Sequence, residues 1–180
     1  GEKMPIKPNV AEFLEALKEL NLKPLADLTP KEAREQMEAG VRARAIPELP
    51  VGSVKNIVIP GPGGNIPVRI YTPKNADNKL LGALIYYHGG GHVIGSLDTH
   101  DSVARTLCQD AKIIVFSVDY RLGPENKFPA AVEDAYAACE WLHANAIGMQ
   151  IAPDRIAVGG DSAGGNLALV TSLMARNCGS

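Results

Sequence analysis

The chain has 180 residues, a length that suits one ordinary domain with a core of its own. Its hydrophobic fraction of 46% and charged fraction of 21% are typical of globular proteins and exclude a disordered chain. A formal net charge of -2 gives no electrostatic reason to expect nucleic acid or an anionic membrane as a partner. Because no apolar stretch approaches the roughly 18 residues of a membrane span and the first residues lack an apolar signal core, we expect a soluble, cytoplasmic protein.

The cysteines are three in number and lie far apart, at Cys108, Cys139 and Cys178. Their spacing fits neither a disulfide framework nor a metal-binding motif. We therefore expect inert thiols and a reducing compartment.

Residues 1–46 have the pattern of two helices. Asn9 and Glu12 are a candidate N-cap and partner for the first, and one apolar stripe follows: Val10, Phe13, Leu14, Leu17 and Leu20. The segment Thr29-Pro30-Lys31-Glu32 is a stronger signal for the second helix. It combines a cap residue, a proline at the first helical position and a glutamate at the third.

From residue 47 onwards, short apolar runs alternate with helical stretches. Two β-branched runs, 54–59 and 66–71, flank a glycine-rich turn and predict a hairpin. Three further runs are apolar almost throughout, which indicates strands covered on both faces: 82–87, 112–118 and 155–158. The clearest helix has apolar residues spaced by four and three: Phe128, Val132, Ala135, Cys139, Leu142 and Ala146. This alternation predicts an α/β fold with a mostly parallel sheet and flanking helices.

Residues 160–164, Gly-Asp-Ser-Ala-Gly, fit the G-x-S-x-G pattern of a nucleophile elbow. In that pattern the serine sits on a strained turn between a strand and a helix, and the glycines let neighbouring backbone pass close. An apolar strand-like run precedes the motif and an apolar helical run follows it, as the pattern requires. Ser162 is therefore the candidate nucleophile, whereas Asp161 and Asn166 are better suited to supporting the turn than to reacting.

His88 and three glycines, 89–91, follow the run 82–87 directly. Three glycines leave backbone N–H groups able to converge on one point, as an oxyanion hole requires, together with the N–H of Ala163. Two rival interpretations are weak. A phosphate-binding loop would continue with G-K-[ST], and a metal site at His88 and His92 would need a helix, which three glycines oppose.

In three blocks the chain resembles the hormone-sensitive-lipase-like esterases. The blocks are residues 88–91, 120–125 (Tyr-Arg-Leu-Gly-Pro-Glu) and 160–165, and the resemblance covers roughly residues 50–175. It implies an α/β-hydrolase fold, with 1–46 as a helical cap segment and 47–180 as the N-terminal half of the core. It also implies hydrolysis of short- to medium-chain carboxylic esters, without a metal or an organic cofactor.

The resemblance further implies roles for single residues. Ser162 would be the nucleophile, with oxyanion donors at Gly89, Gly90 and Ala163 and with loop support from His88, Gly91 and Asp161. The chain departs from the family at Gly123, where alanine is usual, and at His92, where a bulky aromatic residue is usual. His92 either tunes the acyl pocket or is a tolerated ring. We expect Tyr120, Arg121 and Glu125 to pack and form salt bridges that hold the neighbouring loops.

A catalytic base is not evident in the chain. In this fold an acid and then a histidine follow the serine, but the 18 residues after Ser162 contain no aspartate, glutamate or histidine. The histidines all lie before it: His88, His92, His100 and His143. We therefore expect a fragment of a longer enzyme, nearly inactive alone. We also expect 155–158 to form an open sheet edge through which copies could associate.

Two other functions compete with ester hydrolysis. One is a non-catalytic module that binds a small ligand on a hydrolase scaffold, although such a module has no need for an activated elbow. The other is a chymotrypsin-like protease, suggested by glycine-aspartate-serine. That fold is all-β, and the helical stretches here oppose it.

Overall fold

The structure is a computed structural model that describes residues 5–44, 46–76 and 79–178. Parts of both predicted segments, 1–46 and 47–180, therefore lie outside the described residues. The helices are α1 (Pro8–Glu19), α2 (Pro30–Ala43), α3 (Asp101–Ala111), α4 (Ala130–Asn145) and α5 (Ala163–Cys178). The strands are β1 (Ser53–Gly61), β2 (Gly64–Thr72), β3 (Leu81–Tyr87), β4 (Ile114–Val118) and β5 (Ile151–Gly160).

The strands form one sheet in the order β1-β2-β4-β3-β5. Strand β3 runs parallel to β4 and β5, whereas β2 runs antiparallel to β1 and β4. The prediction of a mostly parallel sheet was wrong for the first half, because the predicted hairpin joins the sheet through β4 in the antiparallel sense. Strand β5 lies at the edge of the sheet, as expected, while self-association there stays a prediction.

Helices cover both faces of the sheet. One core cluster contains Ile85 and Tyr87 of β3 with residues of α4 and α5, and a second contains Tyr86 with residues of α3. Successive residues of β3 therefore enter different cores, which explains why this strand is apolar throughout. This double burial confirms the interpretation for β3, and all five residues of β4 are buried as well. The interpretation was wrong for 155–158, because β5 lies at the edge of the sheet and Ala157 is exposed.

The N-terminal helices differ in how they begin. Helix α2 has the predicted capping box: Glu32 N–H donates to Thr29 Oγ1 and Thr29 N–H donates to Glu32 Oε2. The prediction that Asn9 caps the first helix was wrong. Helix α1 begins at Pro8 with Lys7 as N-cap and no side-chain cap bond, because proline is favoured at the first helical position. None of the residues of α1 is buried.

Three other boundaries differ from the sequence predictions. Phe128 was wrongly placed in a helix, since α4 begins at Ala130 and the Phe128 side chain is 89% exposed. Strand β4 begins at Ile114, because Lys112 takes a left-handed conformation (φ 55°) that ends α3. Strand β5 begins at Ile151, four residues earlier than predicted. No helix in the described part of the chain is long and apolar enough to cross a membrane.

Candidate active site

Ser162 lies on the sharp turn between β5 and α5. It has a φ of 51°, a left-handed conformation that costs a non-glycine residue about 1–3 kcal/mol. A Cβ atom on Gly160 or on Gly164 would overlap the carbonyl oxygen of Tyr87, so both positions require glycine. The turn is closed by hydrogen bonds from Gly164 N–H to Asp161 O (2.8 Å) and from Asn166 N–H to Ser162 O (3.1 Å).

The Ser162 side chain faces solvent at the start of α5. Among the described residues its Oγ has no hydrogen-bonded partner, and no histidine reaches it. The N–H of Ala163 has no protein acceptor there either. An unoccupied N–H at a helix N-terminus is suited to donate a hydrogen bond to a negatively charged atom.

The loop after β3 presents three successive peptides, and the first of them is held at both ends. Tyr120 Oη donates to His88 O over 2.6 Å, and Gly89 N–H donates to Asp161 Oδ1 over 3.0 Å. This bond counts against Gly89 as an oxyanion donor, because its N–H is already taken.

The next two peptides are held by their carbonyl oxygens only. His88 Nδ1 lies 2.7 Å from Gly89 O, and the N–H groups of Val93 and Ile94 donate to Gly90 O over 3.0 and 2.9 Å. In a trans peptide the N–H points opposite to the carbonyl. The N–H groups of Gly90 and Gly91 therefore point away from these donors, and neither has an acceptor among the described residues.

His88 is fully buried and lies between two rings. Its ring stacks on Tyr120 (centroids 4.5 Å apart) and on His100 (5.3 Å). Burial lowers the pKa of His88 from 6.5 to about 4, so the ring is neutral near pH 7. Its contact with Gly89 O requires the proton on Nδ1, since a carbonyl oxygen can only accept.

Asp161 connects the serine turn with this loop. Its Oδ1 accepts from Tyr86 Oη (2.6 Å) as well as from Gly89 N–H, and His100 Nε2 lies 3.7 Å away. Burial raises the pKa of Tyr86, so the phenol keeps the proton that it donates. The structure thus brings together Asp161, His88 and Gly89, and it adds Tyr86, which the sequence analysis missed. A tyrosine at the next-to-last position of an apolar strand, three residues before the first glycine, was the available signal, because a buried phenol needs a partner.

In the described part of the chain, none of the other histidines forms a hydrogen bond with Ser162 Oγ. His100 is buried, with its Nδ1 2.9 Å from Thr99 Oγ1, and His143 is exposed on α4. His92 has a φ of 61°, and its buried Nδ1 has no partner among the described residues.

The middle block holds the neighbouring loops, as predicted. Tyr120 is buried against His88, and Arg121 forms salt bridges with Asp134 (2.8 Å) and with a further acidic residue of α4. Glu125 pairs with Arg34 of α2 over 2.7 Å. Arg34 was missed, because nothing in the pattern of α2 distinguishes it from the other arginines of that segment.

A cavity of about 580 Å³ opens beside α5, and most of its lining is apolar. Asn166 and Val170 line it, one and two turns beyond Ser162 on the same side of the helix. The lining also includes His92, Phe128 and Val132.

The described part of the chain contains no group of three or more histidine, cysteine, aspartate or glutamate side chains that could hold a metal ion. The cysteines are free, and burial raises the pKa of the Cys108 thiol to about 11.

Several known proteins with similar sequences and structures carry the names of esterases. A family model described as alpha/beta hydrolase fold matches residues 84–180. The chain is 49% identical over 146 residues to the carboxylic ester hydrolase LipN of Mycobacterium tuberculosis, covering 81% of this chain and 38% of that protein. It is 38% identical to an arylesterase of Saccharolobus solfataricus, covering 97% of this chain and 56% of that protein.

A solved structure of a hyperthermophilic esterase from the archaeon Pyrobaculum calidifontis superposes with a TM-score of 0.90 at 46% identity. The match covers 98% of this chain and 56% of that one. The chain therefore spans from about two fifths to just over half the length of the relatives that it matches. These matches confirm the fold and the resemblance predicted from the motifs: the chain belongs to the α/β-hydrolase family, in its hormone-sensitive-lipase-like branch.

Proposed function

We propose that the protein carrying this chain hydrolyses short- to medium-chain carboxylic esters, with Ser162 as the nucleophile. One observation carries this proposal. Ser162 has a left-handed conformation, and Gly160 and Gly164 on either side of it cannot be replaced without a clash. The neighbouring Asp161 accepts a hydrogen bond from the loop after β3, in which two N–H groups are unoccupied. A strained residue persists only where its surroundings enforce it, and such residues cluster at functional sites.

In the proposed reaction Ser162 Oγ attacks the ester carbonyl carbon, and its proton passes to a histidine base. The carbonyl oxygen becomes an oxyanion that accepts from the N–H of Ala163 and from those of Gly90 and Gly91. The carbon–oxygen bond to the alcohol then breaks, and the alcohol leaves with the proton from the histidine. Water, activated by the same histidine, hydrolyses the acyl-enzyme and restores the serine. The proposal needs neither a metal nor an organic cofactor.

The base is proposed to come from outside residues 1–180. This is supported by the absence of a histidine at Ser162 Oγ in the described part of the chain, and by the burial of His88 and His100 in other contacts. A serine hydroxyl without a base is a poor nucleophile at neutral pH, so residues 1–180 alone should hydrolyse esters slowly or not at all.

The apolar cavity beside α5 is the proposed site for a carbon chain of the ester, because it begins one turn from Ser162. The N-terminal helices are proposed to form part of a cap over the site, and the contact of Arg34 with Glu125 supports this placement of α2.

The test is hydrolysis of nitrophenyl esters of increasing acyl length by the complete encoded protein. We expect turnover that falls for long chains and is abolished in Ser162→Ala. A fluorophosphonate should label Ser162 covalently in the complete protein. A non-catalytic binding module, the competing function, would neither turn over the esters nor take the label.

A further inference from the structure

Arg34 of α2 makes four hydrogen bonds, one to the loop after β3 and three to the loop after β4. Its Nε donates to Val93 O and its Nη2 to Gly123 O, both over 2.7 Å. Its two Nη atoms donate to the two carboxylate oxygens of Glu125 over 2.9 and 2.7 Å. A guanidinium is planar and its donors form a rigid fork, so these bonds together determine where Nε lies.

From Val93 the hydrogen bonds lead back to Gly91. The peptide between Val93 and Ile94 accepts from Arg34 at its oxygen and donates from its N–H to Gly90 O over 2.9 Å. Gly90 O belongs to the peptide whose N–H is that of Gly91. Two peptides, aligned head to tail, therefore connect the guanidinium with the Gly91 N–H. Hydrogen bonds in such a row polarise one another, so a cation at one end strengthens the donor at the other.

We propose that Arg34 is a positioning residue for ester hydrolysis, orienting and polarising the Gly91 N–H toward the oxyanion through these two peptides. The inference rests on the proposed function, because it requires Gly91 to be an oxyanion donor. Arg34 itself need not touch the substrate. A helix that precedes the whole sheet in the sequence thereby acts on the reacting group.

Two further contacts support this role. Gly123 O accepts a hydrogen bond from Arg34, and Gly123 N–H donates to His92 O over 2.7 Å. Arg34 therefore also holds, through Gly123, the peptide that joins His92 to Val93. Glu125 fixes the guanidinium, and the hydrogen bonds from Arg34 lower the pKa of Glu125 to about 2. Glu125 therefore stays ionised at every pH at which an esterase is assayed.

The test is the steady-state kinetics of Arg34→Ala in the complete protein. We expect kcat to fall about tenfold with KM changed less than twofold, because the weakened donor acts mainly on the charge that develops in the transition state. Arg34→Lys keeps the charge but not the fork and should recover part of kcat. A trifluoromethyl ketone, which forms an oxyanion with Ser162, should lose affinity by the same factor as kcat/KM.

Two control variants separate positioning from loss of structure. Arg42 lies on the same helix, pairs with Glu38 and is 71% exposed, so Arg42→Ala should leave kcat unchanged. Thr29→Ala weakens the capping box without touching Arg34 and should change kcat less than twofold.

Unchanged kcat in Arg34→Ala, or a rise in KM alone, would overturn the inference while leaving the proposed function intact. If the wild-type protein neither hydrolyses esters nor takes the fluorophosphonate label, the proposed function fails, and this inference fails with it.

Discussion

The loop after β3 and helix α1 relate to the rest of the chain in opposite ways. In the loop, each carbonyl oxygen from His88 to Gly90 accepts a hydrogen bond from a specific donor. Helix α1 carries a complete apolar stripe, yet none of its residues is buried. In this chain, single peptides are placed precisely by donors that each bind one carbonyl oxygen. An amphipathic pattern, in contrast, does not reveal what a helix packs against.

The largest effect should come from adding one methyl group at the serine turn. In Gly164→Ala the new Cβ would overlap Tyr87 O, so the free energy of unfolding should fall by about 3 kcal/mol. Urea unfolding of the complete protein measures this change. Fluorophosphonate labelling of Ser162 should slow in parallel.

The matched variant is Gly40→Ala in α2, where no atom lies within 4 Å of the new Cβ. Alanine is a better helix former than glycine by roughly 1 kcal/mol, so stability should rise slightly. Equal effects of the two substitutions would contradict the contrast between the regions.

His88 should make stability depend on pH. Its pKa is lowered in the folded protein, so below pH 6.5 the unfolded chain binds the proton more readily and stability falls. The loss should continue until the pH approaches the folded pKa of about 4 and reach about 3 kcal/mol. Urea unfolding at stepped pH values measures it. His88→Gln keeps an N–H donor but cannot titrate, so identical slopes in the two proteins would refute the assignment.

Removal of the hydroxyl in Tyr86→Phe should lower stability by about 1 kcal/mol and slow the labelling of Ser162, because Asp161 loses one of its donors. Tyr71→Phe is the matched control. The Tyr71 hydroxyl donates to Asp101 over 2.7 Å, away from the serine turn. Tyr71→Phe should therefore lower the free energy of unfolding by a similar amount without changing the rate at which Ser162 is labelled. A labelling rate that falls equally in both variants would show that Asp161 has no special link to the loop.

The smallest effect should come from α1. Phe13 is 48% exposed, and Arg44 lies over its ring, with 5.9 Å to the centroid. Phe13→Ser should therefore change the free energy of unfolding of residues 1–180 by about 0.5 kcal/mol or less. A loss of several kcal/mol in thermal or urea unfolding would show that α1 packs more tightly than its exposure indicates.

The sequence was sufficient for the features that depend on local chemistry. The capping box at Thr29, the hairpin and the glycines around Ser162 each follow from a few neighbouring residues. The antiparallel attachment of β2 to β4 did not follow, because nothing in a single strand specifies which partner it will meet. Phe128 matched a helical spacing but lies outside α4, since spacing alone does not take account of the proline that follows it.

At the candidate site, the motifs indicated which residues meet but not which atoms. The sequence does not distinguish Gly89, Gly90 and Gly91 from one another. Only the contacts with Asp161 and His88 show that the N–H of Gly89 is occupied and that of Gly90 is not. Arg34 and Tyr86 could not be ranked from the sequence, because their importance depends on partners more than 55 residues away.

The alternation of carbonyl and N–H along residues 88–91 means that this loop has a strict register. Inserting or deleting one residue would turn a carbonyl oxygen toward the place where an N–H now points. The partial negative charge of that oxygen would then face the oxyanion of the proposed reaction. During evolution this loop should therefore accept substitutions but neither insertions nor deletions. A library of loop variants should be designed with the same constraint.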